Sequence, residues 1–184
     1  VSNDPMGKEF EIVTDEINCQ SSIKIATLAK NAGVKNYVLA SSCSVYGEAS
    51  EFAKREHDDL NPLTAYAKSK IDAETGVASL ASEEFVVSCL RFATACGFSA
   101  RTRLDLVLND FVAAAISRGI ISILSDGTPW RPLIHVSDMG RAIVWATSRK
   151  ESNGGAMLVV NVGSDEWNYQ IKELAVAVAN QIPE

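Results

Sequence analysis

The sequence predicts an α/β fold built on a mostly parallel sheet. The first observation is that helical and strand-like patterns alternate along nearly the whole chain. The second is a buried-type strand, Tyr37-Val38-Leu39-Ala40-Ser41-Ser42, that ends in two hydroxyls. The third is a helical run from Ala65 to Ala81 in which Tyr66 and Lys70 stand four apart, on one face and one turn from each other. Open α/β sheets bind ligands at the carboxyl ends of their strands. A phenol, an ammonium and a hydroxyl are therefore expected to meet at such an end.

The elements come in order along the chain. Val1–Gly7 reads as a loop, with Asn3-Asp4-Pro5 as turn material. Glu9 to Asn31 is one long helical pattern with an apolar stripe of Ile17, Ile23, Ile25, Leu28 and Ala29, and Gly33 stops it. Asn18 within it reads as a polar position near the surface. Lys35–Ser42 is the first strand, and Cys43–Gly47 is a tight loop. Glu48–Pro62 is polar and acidic and reads as an exposed excursion. Asn61 or Thr64 caps the Tyr/Lys helix. Phe85–Phe92 is a second strand, and Ala93–Arg103 is a loop carrying Gly97, Arg101 and Arg103. Leu106–Arg118 is a helix closed by Gly119, Ile120–Leu124 a short strand, and Asp126-Gly127 a turn. Trp130–Val136 is extended, and Ser137-Asp138 caps a helix reaching about Arg149. Met157–Val162 is a third core-like strand. Tyr169–Ile182 is a last amphipathic helix with Asn168 as its cap. No repeat, low-complexity tract or flexible linker interrupts the pattern.

Composition narrows the function classes. The chain has 184 residues, 47% hydrophobic and 22% charged, as in an ordinary soluble domain with a good core. The formal charge is −6 with no Lys/Arg cluster, which argues against a nucleic-acid partner. No apolar run is long enough to span a bilayer, so no membrane partner is expected. Cys19, Cys43, Cys89 and Cys96 are scattered without a Cys-x-x-Cys pair and read as reduced, buried thiols of a cytoplasmic protein. His57 and His135 stand in different contexts, so no histidine-based metal site is expected.

The hydroxyl, phenol and ammonium define a chemistry. A tyrosine with a pKa near ~10 is a poor base at neutral pH. A neighbouring lysine favours its phenolate. A serine can hold the substrate oxygen while the tyrosine takes or returns a proton. That suits oxidation of an alcohol or reduction of a ketone, with a cofactor carrying the hydride. Taken alone, Tyr-x-x-x-Lys usually describes no more than an amphipathic helix face with an exposed lysine.

Five segments in order resolve that choice. Ser41-Ser42-Cys43-Ser44-Val45-Tyr46-Gly47 resembles the "SS-x-x-VYG" segment of extended short-chain dehydrogenases/reductases. Asn61 to Lys70 resembles their "P-x-x-x-Y-x-x-S-K" helix. Leu90-Arg91-Phe92 with Gly97 resembles their "LR-(F/Y)…G" strand end. Trp130 to Asp138 resembles "R-x-(F/Y/L)-I-H-V-x-D", and Asn161-Val162-Gly163 resembles "N-(V/L)-G". The group they resemble most is the NAD-dependent epimerase/dehydratase family acting on nucleotide sugars. The resemblance implies a partial Rossmann-type doubly wound parallel sheet plus a smaller substrate-binding region. Residues 1–95 would be the second half of the NAD-binding domain. Residues 96–184 would be mainly substrate-binding, with 134–163 packing back on the Rossmann sheet.

The same resemblance implies roles. Ser42, Tyr66 and Lys70 match the catalytic positions. Asn18, Ala40, Ser41, Tyr66, Lys70 and Ala93 are expected at the cofactor, which is NAD, with NADP as the alternative. Ser42, Thr94, Asn109 and Arg131 are expected at the substrate, a nucleotide-diphosphate sugar, with Arg131 suited to the diphosphate. His135 and Asp138 are expected to organise a turn and cap. The family's opening strand and glycine-rich turn, which hold a dinucleotide pyrophosphate, have no counterpart here. The chain therefore reads as an N-terminally truncated fragment, inactive alone, of an enzyme expected to form a homodimer. Dehydratases resembling this family carry an Asp-Glu pair directly after the catalytic Ser/Thr, and here those positions are Cys43 and Ser44. Thr94 stands where many members have asparagine. The expected function is therefore a nucleotide-sugar epimerase. The alternatives are an NADPH-dependent nucleotide-sugar ketoreductase and a non-catalytic binding or assembly member of the fold.

Overall fold

The computed structural model describes residues 9–47 and 53–182. The expected loop Val1–Gly7 and part of the expected excursion, 48–52, lie outside them. The chain divides into two compact units. One comprises Val1–Phe92 and Arg141–Asn161, the other Ala93–Gly140 and Val162–Glu184.

In the first unit the opening helical run is α1 (Glu11–Asp15), a π-helical turn (Glu16–Gln20) and α2 (Ser21–Asn31). The break corrects the expected single stripe. A π turn carries a residue more than an α turn and rotates the residues after it around the axis. Ile17, Ile25 and Leu28 are exposed at 50%, 57% and 59%, while Thr14, Asn18, Cys19 and Ala26 face inward. α2 closes with the Gly33 N–H on the Lys30 carbonyl and the Val34 N–H on the Ala29 carbonyl, a Schellman arrangement.

β1 (Asn36–Ser42) comes next, then a 3-10 turn (Cys43–Tyr46) and α3 (Ala65–Ala78). α3 ends three residues earlier than the periodicity suggests. Thr64 is its cap, with its hydroxyl accepting the Ala67 N–H at 3.1 Å. β2 (Val86–Phe92) is buried at every position. It pairs with β1 in parallel, Asn36 opposite Val86 through Ser42 opposite Phe92. β5 (Met157–Val162) flanks it on the other side, giving the order β1-β2-β5. The core between sheet and helices holds Leu39, Ala73, Val77, Phe85, Val87 and Cys89.

The second unit carries β3 (Thr94–Cys96), α4 (Val107–Arg118), β4 (Trp130–His135), β6 (Asn168–Gln170) and α6 (Ile171–Ala179). α5 (Val136–Thr147) begins directly after β4. β4 pairs with β3 in parallel and with β6 antiparallel. Phe111, Leu133, Ile171, Leu174 and Val178 form its core.

Three expectations need correction in this unit. The loop expected over Ala93–Arg103 contains β3, which is too short to show a period of its own. The last helix starts at Ile171, not Tyr169, because Asn168–Gln170 is drawn into pairing with β4. The Gln170 N–H is then capped by the Glu173 carboxylate at 3.0 Å, and Asn168 instead donates to the Ser164 and Asp165 carbonyls. Ile120–Leu124 is not a strand. Among the described residues no strand pairs with it, so only Ile121 turns to the core while Leu124 is fully exposed. Among the described residues no helix is long and apolar enough to cross a membrane.

Candidate active site

The site is built where β1 ends. Ser42 is extended, at φ −148° and ψ 144°, and caps the 3-10 turn after it. That turn is held rigidly. Val45 and Tyr46 are buried, and the Val45 carbonyl accepts the Asn61 N–H at 3.0 Å. Gly47 closes the turn at φ +72°, and a Cβ there would lie 2.1 Å from the Asn61 carbonyl oxygen. Only glycine fits such a left-handed position pressed on backbone.

α3 packs against this turn and against β1. Its i, i+4 spacing brings Lys70 beside Tyr66, with Nζ 5.6 Å from the ring centroid. The Lys70 ammonium also donates to the Ala40 carbonyl at 2.9 Å, which anchors it to the end of β1. Burial lowers the Lys70 pKa below its ordinary value, with the Glu74 carboxylate acting against that shift. Ammonium, phenol ring and strand end are thus brought together within the first unit.

Beneath them lies a buried polar network that sequence reasoning missed. Arg91 on β2 pairs with Glu74 on α3 through Nη2 at 2.7 Å and Nε at 3.0 Å, both residues being 5% exposed. Glu74 also accepts the Ser41 hydroxyl at 2.5 Å. The Ser41 side chain, expected at the cofactor, is therefore committed to the interior. Arg91 donates from Nη1 to the Tyr46 hydroxyl at 2.9 Å, and Tyr46 donates to Asn161 Oδ1 at 2.6 Å. Asn161 reaches back to the excursion, its N–H on the Glu56 carboxylate and its Nδ2 on the Lys54 carbonyl. Burial pulls the Arg91 pKa down, but Glu74 and Tyr46 outweigh it and the net shift is upward. The Asn161 N–H chiefly holds the Glu56 carboxyl below its usual range. A signal was present in the sequence: a charged residue inside an otherwise apolar strand needs a buried partner, and Glu74 stands one turn beyond Lys70.

Asn18 is 7% exposed, which corrects the surface reading. It sits on the π turn and donates to Ser69 Oγ at 3.2 Å, and Ser69 donates to the Tyr66 carbonyl at 2.8 Å. π turns often occur at functional sites, and this one ties the first helical run to the backbone of the catalytic candidate.

Ala93, Thr94, Asn109 and Arg131 belong to the second unit. Thr94 is half-buried on β3 opposite Leu133. The Asn109 side chain clamps two loop segments, accepting the Gly97 N–H at 3.2 Å and donating to the Arg103 carbonyl at 3.0 Å. Arg131 is exposed on β4 and donates to the Trp130 carbonyl. Arg103 pairs with Asp105 at 2.8 Å. His135 Nδ1 accepts the Ser137 N–H at 3.2 Å, and its ring lies where a Cβ on Gly97, at φ +102°, would fall. A cleft of about 320 Å³ in this unit lies among Leu133, Asp138, Gly163, Ser164, Glu166 and Trp167, and none of the expected substrate residues lines it. Among the described residues no group of three His, Cys, Asp or Glu side chains comes together as a metal site.

A parallel α/β sheet with a serine at one strand end and a Tyr/Lys helix beside it is the arrangement of extended short-chain dehydrogenases/reductases. The chain belongs to the NAD dependent epimerase/dehydratase family, which its residues 5–163 match. It is 30% identical over 134 residues to the UDP-glucuronate 4-epimerase of Thermodesulfobacterium geofontis, covering 69% of this chain and 39% of that protein. It is 25% identical over 161 residues to an uncharacterised UDP-glucose epimerase of Bacillus subtilis, covering 86% and 49%. Among solved structures it resembles MoeE5 in complex with UDP-glucuronic acid and NAD, with a TM-score of 0.76 at 30% identity over 89% of this chain and 53% of that one. The chain thus spans about half the length, or less, of these relatives.

Proposed function

We propose that the full-length protein is a nucleotide-sugar epimerase using NAD. The observation that carries this reading is the Lys70 ammonium, anchored on Ala40 at the end of β1 and set beside the Tyr66 ring. An ammonium has three donors and Ala40 takes one, so Lys70 suits ribose hydroxyls as well. NAD, when bound, would supply a reversible hydride acceptor for the sugar carbon. Tyr66 takes the proton of the sugar hydroxyl and gives it back, with the Lys70 charge favouring its phenolate. Ser42 holds the reacting oxygen. Asn18, Ala40, the backbone of Ser41 and Ala93 border the cofactor in this reading, and Thr94, Asn109 and Arg131 serve the nucleotide sugar. Cys43 and Ser44 stand where dehydration would call for two carboxyl groups. The reading extends to a homodimer, for which the exposed apolar residues Ile12, Ile17, Ile25 and Leu28 on one helical run offer a surface, and to a cytoplasmic protein, as the scattered cysteine thiols suggest.

In the full-length protein, Tyr66→Phe is expected to cut turnover by about 10²–10⁴-fold with an unchanged melting temperature. Near-normal turnover overturns the assignment. An epimerase recycles its cofactor, so net consumption of reduced nicotinamide would instead identify a ketoreductase.

A further inference from the structure

We propose that Ser44 is a positioning residue that commits Ser42 to donating its proton to the reacting oxygen of the substrate. The inference rests on the epimerase reading above and deepens it.

A serine hydroxyl offers one proton and two lone pairs. Ser42 Oγ receives the backbone N–H of Ser44 at 3.2 Å and the hydroxyl of Ser44 at 2.9 Å. Both acceptor positions are then filled from one residue, and what Ser42 has left to offer is its own proton. Ser44 is fixed for this task. Its carbonyl accepts the Gly47 N–H at 3.1 Å, and the buried Val45 and Tyr46 come directly after it in the turn. Little reorganisation is needed when substrate arrives.

The division of labour matches the proposed chemistry. During epimerisation the reacting oxygen passes from alcohol to carbonyl and back. As a carbonyl it has only lone pairs, so every neighbour must donate. Tyr66 exchanges one proton with that oxygen and alternates between acceptor and donor. Ser42 keeps its proton throughout, and so does Ser44. A chain of hydroxyls pointing one way, Ser44 to Ser42 to substrate, also polarises each bond toward the oxygen.

The test uses the full-length protein with NAD and, in turn, UDP-glucose and UDP-glucuronic acid. Ser44→Ala should lower kcat by about three- to tenfold, the weight of one hydrogen bond, with KM within about twofold. Ser44→Thr should keep the wild-type kcat, whereas Ser44→Val, of the same shape without the hydroxyl, should fall with Ser44→Ala. In a Ser42→Ala background, Ser44→Ala should cost nothing further. Wild-type kcat in Ser44→Ala, equal rates for the Thr and Val variants, or the same loss in the Ser42→Ala background overturns the inference while leaving the epimerase intact. Full turnover in Tyr66→Phe, or no turnover of either sugar by the unaltered protein, brings down the functional reading and this inference with it.

Discussion

The two units bury different things. The first buries chemistry: Asn18, Ser41, Ser69, Glu74, Arg91 and Arg149 are all at least nine-tenths covered. Among the described residues the second unit buries no polar or charged side chain. Its core is Phe111, Leu133, Ile171, Leu174 and their neighbours, and its charged groups, on loops, helix surfaces and β4, are half-buried or exposed. A buried polar network is satisfied in one arrangement only, so it fixes the groups attached to it, at a cost in desolvation. Apolar packing with polar loops tolerates change at the surface. Under the proposed function, the contrast suits a unit that holds Ser42, Tyr66 and Lys70 in register and another whose exposed polar groups vary with the substrate.

The largest test of that contrast is a pair of arginine variants. Arg91→Met leaves the Glu74 carboxylate buried and unpaired, and should destabilise the protein by about 3–5 kcal/mol in urea unfolding. Arg103→Ala in the second unit breaks a pair at the surface and should cost less than about 1 kcal/mol. Equal losses would erase the distinction. A smaller difference is expected between two glycines at positive φ. Gly47→Ala meets the Asn61 backbone and should cost about 2–4 kcal/mol. Gly97→Ala meets the His135 ring, a side chain able to swing away, and should cost about 1–2 kcal/mol.

pH sharpens the comparison further. The Lys70 pKa is lowered in the folded state by burial. The unfolded chain therefore binds more protons between the folded and unfolded values, and stability rises with pH across that window. Lys70→Met should be favoured relative to wild type near neutral pH, and the advantage should shrink as pH climbs toward about 10.4. An advantage that grows with pH would contradict the assignment.

The smallest effect is in thiol reactivity. Burial raises the thiol pKa of Cys19 and Cys96, and raises Cys89, with Glu74 adding to it, to about 12. Cys43 is half-buried on the turn after Ser42. Mass spectrometry after alkylation should therefore find Cys43 modified first and the other three protected until unfolding. Early labelling of Cys89 would mean that the first unit's core is open.

By itself the sequence determined the alternation of helix and strand, and with it a mostly parallel α/β sheet, and the placing of Tyr66 beside Lys70. These rest on short-range periodicity: one turn of one helix, one run of one strand. The tertiary structure alone decided the partners that lie far apart along the chain. Arg91 meets Glu74 across 17 residues, and Tyr46 meets Asn161 across 115. It also decided that the apolar run Ile120–Leu124 finds no neighbouring strand, and that Asn168–Gln170 finds β4. Strand pairing and buried polar satisfaction both depend on what lies alongside, and local pattern carries no record of that. The first helical run contains a π turn, and its buried residues are Thr14, Asn18, Cys19 and Ala26 and not the apolar stripe of the pattern. Ser42 was legible as a hydroxyl at a strand end, whereas its two contacts with Ser44, two residues on and folded back over it, were not.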